Sequence, residues 1–205
     1  MPYELVVIGA SLGGLNALKT VLKGFPADFP AAIAIVQHRT MNEVDQLTNL
    51  LQKYCVLPLQ EAEDKTVIQG GHVYFAPADY HLLVNCDMQN PQSEKQVYIS
   101  LSTEAPVNFA RPSIDVLFES AANALGEKVI GVLLTGSNKD GALGLNFIQQ
   151  RNGLTVVQDP RTAQSRDMPN AAIQLKSARL ILPLGEISDF IVDNVIKSQG
   201  RTNRK

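Results

Sequence analysis

The stretch Leu5-Val6-Val7-Ile8-Gly9-Ala10-Ser11-Leu12-Gly13-Gly14-Leu15 decides the fold, because it joins an apolar strand to a helix through a turn of small residues. An aliphatic run of this length near the amino terminus is typical of a strand buried on both faces, as in parallel sheets. The glycines permit a tight turn, and the following helix directs its first N–H groups and positive dipole end over that turn. Three interpretations are open: a catalytic serine in a G-x-S-x-G elbow, a glycine-rich cofactor loop, or a structural turn.

The composition indicates one ordinary globular domain. The 205 residues suffice for one well-packed α/β core, and 45% of them are hydrophobic and 19% charged. The formal charge of −2 gives no reason to expect nucleic acid as a partner. No apolar run reaches the ~20 residues that span a bilayer, and no signal-peptide pattern begins the chain. We therefore expect a cytoplasmic protein, not inserted in a membrane, with one domain over residues 1–196 and a polar tail over 197–205.

Metal-binding patterns are absent from the sequence. Cys55 and Cys86 lack motif spacing, so a reduced pair is expected rather than a disulfide or a metal clip. The three histidines, His38, His72 and His81, form no H-x-x-x-H pattern. We therefore predict that the protein has no metal site.

Strand and helix patterns alternate along most of the chain. After the first strand, the predicted strands are Ala31–Val36, Val129–Leu134, Leu154–Gln158 and Arg179–Pro183. The predicted helices are Leu12–Lys23, Asn42–Tyr54 with Asn42 as its cap, one that Ser113 caps, a short one that Pro169 starts, and Ile187–Ile196. Short runs between Val56 and Ser102 predict an antiparallel insertion or hairpin. The predicted fold class is α/β, a doubly wound mostly parallel sheet with an antiparallel hairpin insertion, in three α/β/α layers.

Three polar residues follow the ends of predicted parallel strands. Ser11 follows the first strand, His38 the second, and Asp140 the strand that begins at Val129. Because carboxyl ends of parallel strands meet at one edge of a sheet, we expect the three side chains to lie close together. Each also has a structural interpretation: His38 as a satisfied structural histidine, and Asp140 as the cap of the helix that begins at Gly141.

A hydroxyl, an imidazole and a carboxylate are the parts of a nucleophilic triad. A serine hydroxyl needs a base within about 3 Å, and the base needs a carboxylate that fixes its tautomer. The chain order Ser, His, Asp differs from that of the α/β-hydrolases, which argues against that fold. The cofactor interpretation lacks support beyond the loop: the second strand ends in Gln37-His38-Arg39 without the expected acid, and no Tyr-x-x-x-Lys pair occurs. We predict no cofactor.

With these residues in place, the chain resembles the catalytic domain of the CheB-type chemotaxis protein-glutamate methylesterases. Motifs in family order cover almost the whole chain. They are Gly9-Ala10-Ser11-Leu12-Gly13-Gly14, Val36-Gln37-His38, Gly71-His72-Val73-Tyr74-Phe75-Ala76-Pro77, Arg111-Pro112-Ser113-Ile114-Asp115, Leu134-Thr135-Gly136-Ser137-Asn138-Lys139-Asp140-Gly141-Ala142-Leu143-Gly144 and Met168-Pro169. The resemblance implies hydrolysis of glutamate γ-methyl esters on receptor helices, and in some cases deamidation of glutamine there. The resemblance also implies that Ser11 is the nucleophile, His38 the base and Asp140 the acid that orients the base.

The chain departs from the family pattern in two respects. Many members have threonine after the serine and methionine three places before the aspartate, where this chain has Leu12 and Ser137. Backbone N–H groups at the helix start are then the expected oxyanion donors. Members also commonly carry an amino-terminal receiver domain, whereas the first strand here begins at Leu5, so we expect a separate regulatory protein. The alternative function is a catalytically weak or idle relative that binds a receptor or signalling protein as a module.

Overall fold

The computed structural model describes residues 2–39, 47–87 and 96–200. The strands within these residues are β1 (Leu5–Ala10), β2 (Ala32–Gln37), β3 (Leu59–Glu61), β4 (Val73–Phe75), β5 (His81–Cys86), β6 (Val97–Ser102), β7 (Val129–Leu133), β8 (Leu154–Gln158) and β9 (Leu180–Leu182). The α-helices are α1 (Gly14–Leu22), α2 (Leu47–Gln52), α3 (Ile114–Leu125), α4 (Ala142–Gln150), α5 (Asp167–Gln174) and α6 (Ile187–Gly200).

Seven of these strands form one parallel sheet in the order β3-β4-β2-β1-β7-β8-β9. The aliphatic strand β1 lies at the centre, and all of its residues are buried. The chain winds outward from β1 through β2 to β4, and later returns to β7 on the other side of β1. Ligands of open α/β sheets bind where the winding direction changes in this way. The carboxyl end of β1 is therefore the expected position of a site.

Alternate residues of the strands face two helical layers. Leu5 and Val7 of β1 belong to an apolar cluster that includes buried residues of α3, α4 and α5. Val6 and Ile8 belong to a second cluster, with buried residues of α1 and α6. Helices therefore cover both faces of the sheet, and the predicted doubly wound fold in three α/β/α layers is confirmed.

The region between Val56 and Ser102 differs in part from the prediction. Strands β5 and β6 pair antiparallel, and β5 packs on α3, where the Val84 N–H donates to Ser120 Oγ at 3.1 Å. Strands β3 and β4, however, are parallel members of the main sheet. Tyr74 of β4 packs in one cluster and its two neighbours in the other, because this strand is buried on both faces. The antiparallel prediction was therefore wrong for β3 and β4.

Helix boundaries differ from the predicted ones at four places. Helix α1 covers Gly14–Leu22 rather than the predicted Leu12–Lys23, because Gly13, in the left-handed region, is its cap. Helix α5 begins at Asp167, two residues before Pro169, because a proline fits the first turn, where its missing N–H is not needed. Helix α6 continues past Ile196 to Gly200, so the first four residues of the predicted tail are helical. The predicted helix Asn42–Tyr54 is helical over Leu47–Gln52, and Asn42 lies outside the described residues. None of the helices in the described ranges is long and apolar enough to cross a membrane.

Candidate active site

Ser11 lies in the turn between β1 and α1, at the edge of the sheet where the chain changes its winding direction. Its N–H donates to the Thr135 carbonyl after β7 at 2.9 Å, and its carbonyl accepts from Gly14 N–H at 2.7 Å. Gly13 has φ 81°, and a Cβ there would lie 2.6 Å from Cβ of Gln164. The turn therefore requires glycine at 13. The half-buried Ser11 side chain has no hydrogen bond to any described residue, which leaves its hydroxyl facing the cleft.

His38 follows β2 and reaches the same edge. Its N–H donates to the Ala10 carbonyl at 3.0 Å, and its Nε2 lies 2.8 Å from Oδ2 of Asp140. Nδ1 lies 3.4 Å from Nδ2 of Asn138, whose Oδ1 accepts from Asp140 N–H at 3.1 Å. This pattern indicates the tautomer, because Nε2 carries the proton donated to Asp140, and Nδ1 is then the unprotonated nitrogen that accepts from Asn138 Nδ2.

Asp140 is fully buried and accepts four hydrogen bonds besides the one from His38. Two donors are the first N–H groups of α3, those of Ile114 at 2.6 Å and Asp115 at 3.1 Å. The others are Ser113 Oγ at 2.9 Å and Asn108 Nδ2 at 3.2 Å. The structural interpretation of Asp140 as the cap of the helix that follows it is wrong, since Gly141 is the N-cap residue of α4 and no side chain caps that helix. The Asp140 carboxylate instead accepts from the first N–H groups of α3. Ser113 is the predicted cap of α3.

Asp115 is the residue whose importance the sequence did not indicate. Its Oδ1 accepts from Gly141 N–H at 2.8 Å and Gly144 N–H at 2.6 Å, at the start of α4. Its Oδ2 accepts from Asn108 Nδ2 at 2.7 Å. A first-turn carboxylate is favoured by its own helix dipole, which is why its spacing predicted only a helix start. No sequence pattern indicated that Asn108 belongs to the site, because its partners are not adjacent to it in the chain.

The two carboxyl groups have opposite shifts in pKa. Burial, aided by the nearby charge of Asp140, raises the pKa of Asp115 to about 6 against the hydrogen bond from Gly144. Burial acts in the same direction on Asp140, but the hydrogen bonds from His38 and from Ile114 outweigh it and hold the pKa of Asp140 below its ordinary value. Two carboxyl groups whose surroundings shift their pKa values in opposite directions can take different roles. Asp140 is the group that stays charged beside the imidazole.

Gln37 and Thr135 join the strand ends that carry these residues. Gln37 is buried, and its Nε2 donates to the carbonyls of Ser11 and His38, both at 2.9 Å. Thr135 Oγ1 donates to the Leu12 carbonyl at 2.8 Å and accepts from Ser165 N–H at 2.8 Å. The ends of β1, β2 and β7 are therefore fixed to one another by side chains.

A cleft of about 1180 Å³ opens over this edge of the sheet. Its walls include all three of Ser11, His38 and Asn138, and its rim includes Leu12 and Phe109. Asp140 lies beneath His38, out of contact with solvent. The structure thus brings the three predicted site residues to one place, with the hydroxyl and the imidazole accessible and the carboxylate hidden.

Leu12 and Ser137 stand where the family pattern has threonine and methionine. Both side chains are exposed, Leu12 to 54%. The N–H groups of Leu12 and Gly13 have no acceptor among the described residues, so they remain free beside Ser11. The structure also contains no group of three or more metal-ligating side chains within the described ranges.

A parallel sheet with a cleft at its switch point is typical of α/β proteins that bind a ligand there. The family model for CheB methylesterase matches residues 6–191 of this chain. The crystal structure of the Thermotoga maritima CheB methylesterase catalytic domain is similar, with a TM-score of 0.86 and 31% identity over 94% of this chain and 99% of that one. The chain belongs to the CheB methylesterase family and so to the ester hydrolases.

Relatives differ in how much of their length this chain covers. A protein of Leptospira interrogans is 45% identical over 192 residues, which cover 94% of this chain and 95% of the relative. The protein-glutamate methylesterase/protein-glutamine glutaminase of Bordetella parapertussis is 40% identical over 189 residues, 92% of this chain and 52% of that enzyme. The chain therefore spans about half the length of several curated relatives. The predicted family and enzyme class are confirmed, and the roles of Ser11, His38 and Asp140 stay predictions.

Proposed function

We propose that this chain removes methyl groups from γ-methyl esters of glutamate on receptor-type proteins and deamidates glutamine there. The observation that carries the proposal is the 2.8 Å hydrogen bond between His38 and the buried Asp140, in the cleft that Ser11 also lines. The Bordetella relative is named a protein-glutamate methylesterase/protein-glutamine glutaminase, and this name supplies the substrate class. Helices of methylated receptor-type proteins are the proposed partners.

The acylation step uses Ser11 as nucleophile. His38 Nδ1 takes the hydroxyl proton while Oγ forms a bond to the γ-carbonyl carbon of the ester. The free N–H groups of Leu12 and Gly13 donate to the oxygen that becomes negative. The bond to the methoxy oxygen then breaks, His38 returns its proton to that oxygen, and methanol leaves. A glutamyl ester on Ser11 remains.

The deacylation step uses water in place of the serine. His38 takes a proton from the water as its oxygen attacks the acyl carbon, and the bond to Oγ breaks as the proton returns to Ser11. The glutamate side chain leaves as the carboxylic acid and loses its proton to solvent. With a glutamine substrate, ammonia leaves in the first step and the second step is the same. Asp140 stays charged throughout and stabilises the imidazolium that each step creates.

Methanol release from methylated receptor membranes tests the proposal. We expect release by the unsubstituted chain, and loss of nearly all release in Ser11→Ala and in His38→Ala. The double variant should be little slower than either single variant, because residues of one triad act as a unit. His72→Ala is the matched control, since the His72 ring is bonded to the Gly70 carbonyl at 3.1 Å and stacks on Tyr74, away from the residues that line the cleft.

The same assay separates the proposal from its rival. Substantial release by Ser11→Ala would contradict the assignment of the nucleophile. Binding of the receptor without any methanol release by the unsubstituted chain would favour the binding module.

A further inference from the structure

A tight turn with an unusual backbone stands at the rim of the cleft. Val107 and Ala110 exchange two backbone hydrogen bonds, of 3.1 and 2.9 Å. The residues between them, Asn108 and Phe109, have φ angles of 50° and 62°. Positive φ at both central residues marks the type I′ turn, which favours asparagine and glycine. Asn108 fits this preference, whereas Phe109 does not.

The Phe109 side chain buries no apolar surface that would offset the free-energy cost of its positive φ. A bulky residue with positive φ is an outlier, and such outliers cluster at functional sites. The Phe109 side chain is fully exposed and lines the cleft, while most other phenylalanines of the described residues are buried in the core. Neither backbone preference nor core packing therefore explains a phenylalanine at this position.

The turn is held rigidly over the site. Asn108 Nδ2 donates to Asp115 at 2.7 Å and to Asp140 at 3.2 Å. Arg111, just after the turn, donates to Asp79 at 2.9 Å and to the Thr103 carbonyl at 2.8 Å. The backbone at Phe109 is therefore held between side chains that are bonded to the protein, one of them to Asp140. A rigid aromatic side chain presents apolar area at low cost in conformational entropy.

We propose that Phe109 is a specificity-determining residue that packs against an apolar side chain beside the esterified glutamate on the substrate protein. This inference rests on the proposed function. The cleft of about 1180 Å³ is far larger than one glutamate methyl ester needs, since clefts of ~300–1,000 Å³ hold whole drug-sized ligands. Its rim also carries the exposed Leu12, so a neighbouring apolar side chain of the substrate meets an apolar surface. Burial of the exposed ring then contributes to substrate affinity.

Kinetics on two substrates test the inference. Phe109→Ala should lower kcat/KM for methylated receptor at least about tenfold, mainly through KM, since ~1.4 kcal/mol of lost apolar contact corresponds to tenfold. Hydrolysis of p-nitrophenyl acetate, which is too small to reach the rim, should change by less than about twofold. Phe147→Ala is the matched control, because Phe147 is 39% exposed on α4 and does not line the cleft.

Thermal unfolding of a second variant provides a further test of the inference. Phe109→Gly should melt no lower than the unsubstituted chain, because glycine accepts positive φ, and should show the same loss on the receptor. Equal kcat/KM on the receptor for Phe109→Ala and the unsubstituted chain would overturn the inference and leave the proposed function standing. Equal losses on both substrates would also overturn it. Absence of methanol release by the unsubstituted chain would overturn both.

Discussion

Asp115 and Asp140 bind the starts of each other's helices. The Asp140 carboxylate accepts from the first N–H groups of α3, which contains Asp115, and the Asp115 carboxylate accepts from N–H groups at the start of α4, which follows Asp140. Asp140 lies two residues before α4, and its Oδ2 accepts from Ile114 N–H of α3 at 2.6 Å. Asp115 lies in the first turn of α3 and accepts from Gly144 N–H at 2.6 Å in α4. A helix N-terminus favours negative charge, so each contact satisfies both partners. The position of the proposed triad acid is therefore set by the packing of two helices.

Asp140→Asn should lower kcat about 10³- to 10⁴-fold, the effect expected when the orienting carboxylate loses its charge and imposes the wrong histidine tautomer. The amide would also present N–H groups toward the donors on α3 and His38. Methanol release from methylated receptor membranes measures the effect. Asp193→Asn, which alters an exposed pair with Lys197 on α6, is the control. Retention of a tenth of the activity by Asp140→Asn would contradict the role of Asp140.

Gly141→Ala should destabilise the protein by about 2–4 kcal/mol. Its φ of 90° disfavours a side chain, and a Cβ there would lie 2.5 Å from Cδ1 of Leu133 and 2.6 Å from Cγ2 of Ile114. Gly185→Ala is the control, because no heavy atom lies within 4 Å of the Cβ it would add. Urea unfolding measures both variants. Equal stability of the two would show that α3 and α4 approach less closely here than the structure has them.

Asp115 makes stability fall as pH rises. Its folded-state pKa of about 6 exceeds the ~3.9 of an unfolded aspartate, so the folded protein binds an additional proton between these values. The contribution of Asp115 to the free energy of unfolding is fully present below about pH 4 and is lost as the pH rises through about 6. The free energy of unfolding falls by about 3 kcal/mol over this range. Asp140 has the opposite sign, but its pKa lies below the ordinary aspartate value, so it titrates at lower pH.

Asp115→Asn should remove this pH dependence. The measurement is the free energy of unfolding in urea at pH 4.5 and pH 7 for both proteins, since groups distant from the site cancel in the difference and the pKa of Asp140 is held below the ordinary aspartate value. We expect the unsubstituted chain to lose more stability between the two pH values than the variant does. The same loss in both proteins would show that Asp115 titrates normally.

The sequence predicted the site because strand ends are easy to locate. The aliphatic runs before Ser11 and His38 mark two buried strands, and parallel pairing then places both residues at one edge. The partner of Asp140 was harder to predict. Local spacing favoured a cap on its own helix, whereas the contact with Ile114 depends on how two helices pack. Such contacts join residues distant in the chain and leave no periodic pattern.

The strand Val73–Phe75 shows the same limit for the fold. Three residues between turn signals fit an antiparallel hairpin as well as a parallel strand. Its pairing with β2 is set by distant residues, including Ile33 and Ile35. Asn108 likewise has partners 7 and 32 residues away, so no local pattern indicates that it donates to both carboxylates.

Labelling with a fluorophosphonate tests the central claim, that Ser11 is a nucleophile activated by His38, most directly. The probe bonds to a serine oxygen that a neighbouring base activates. Peptide mass spectrometry should find one adduct per chain, on the peptide that contains Ser11. The adduct should be absent in Ser11→Ala, at least about 100-fold slower to form in His38→Ala, and unchanged in His72→Ala. An adduct on another serine, or no adduct on the unsubstituted chain, would contradict the claim.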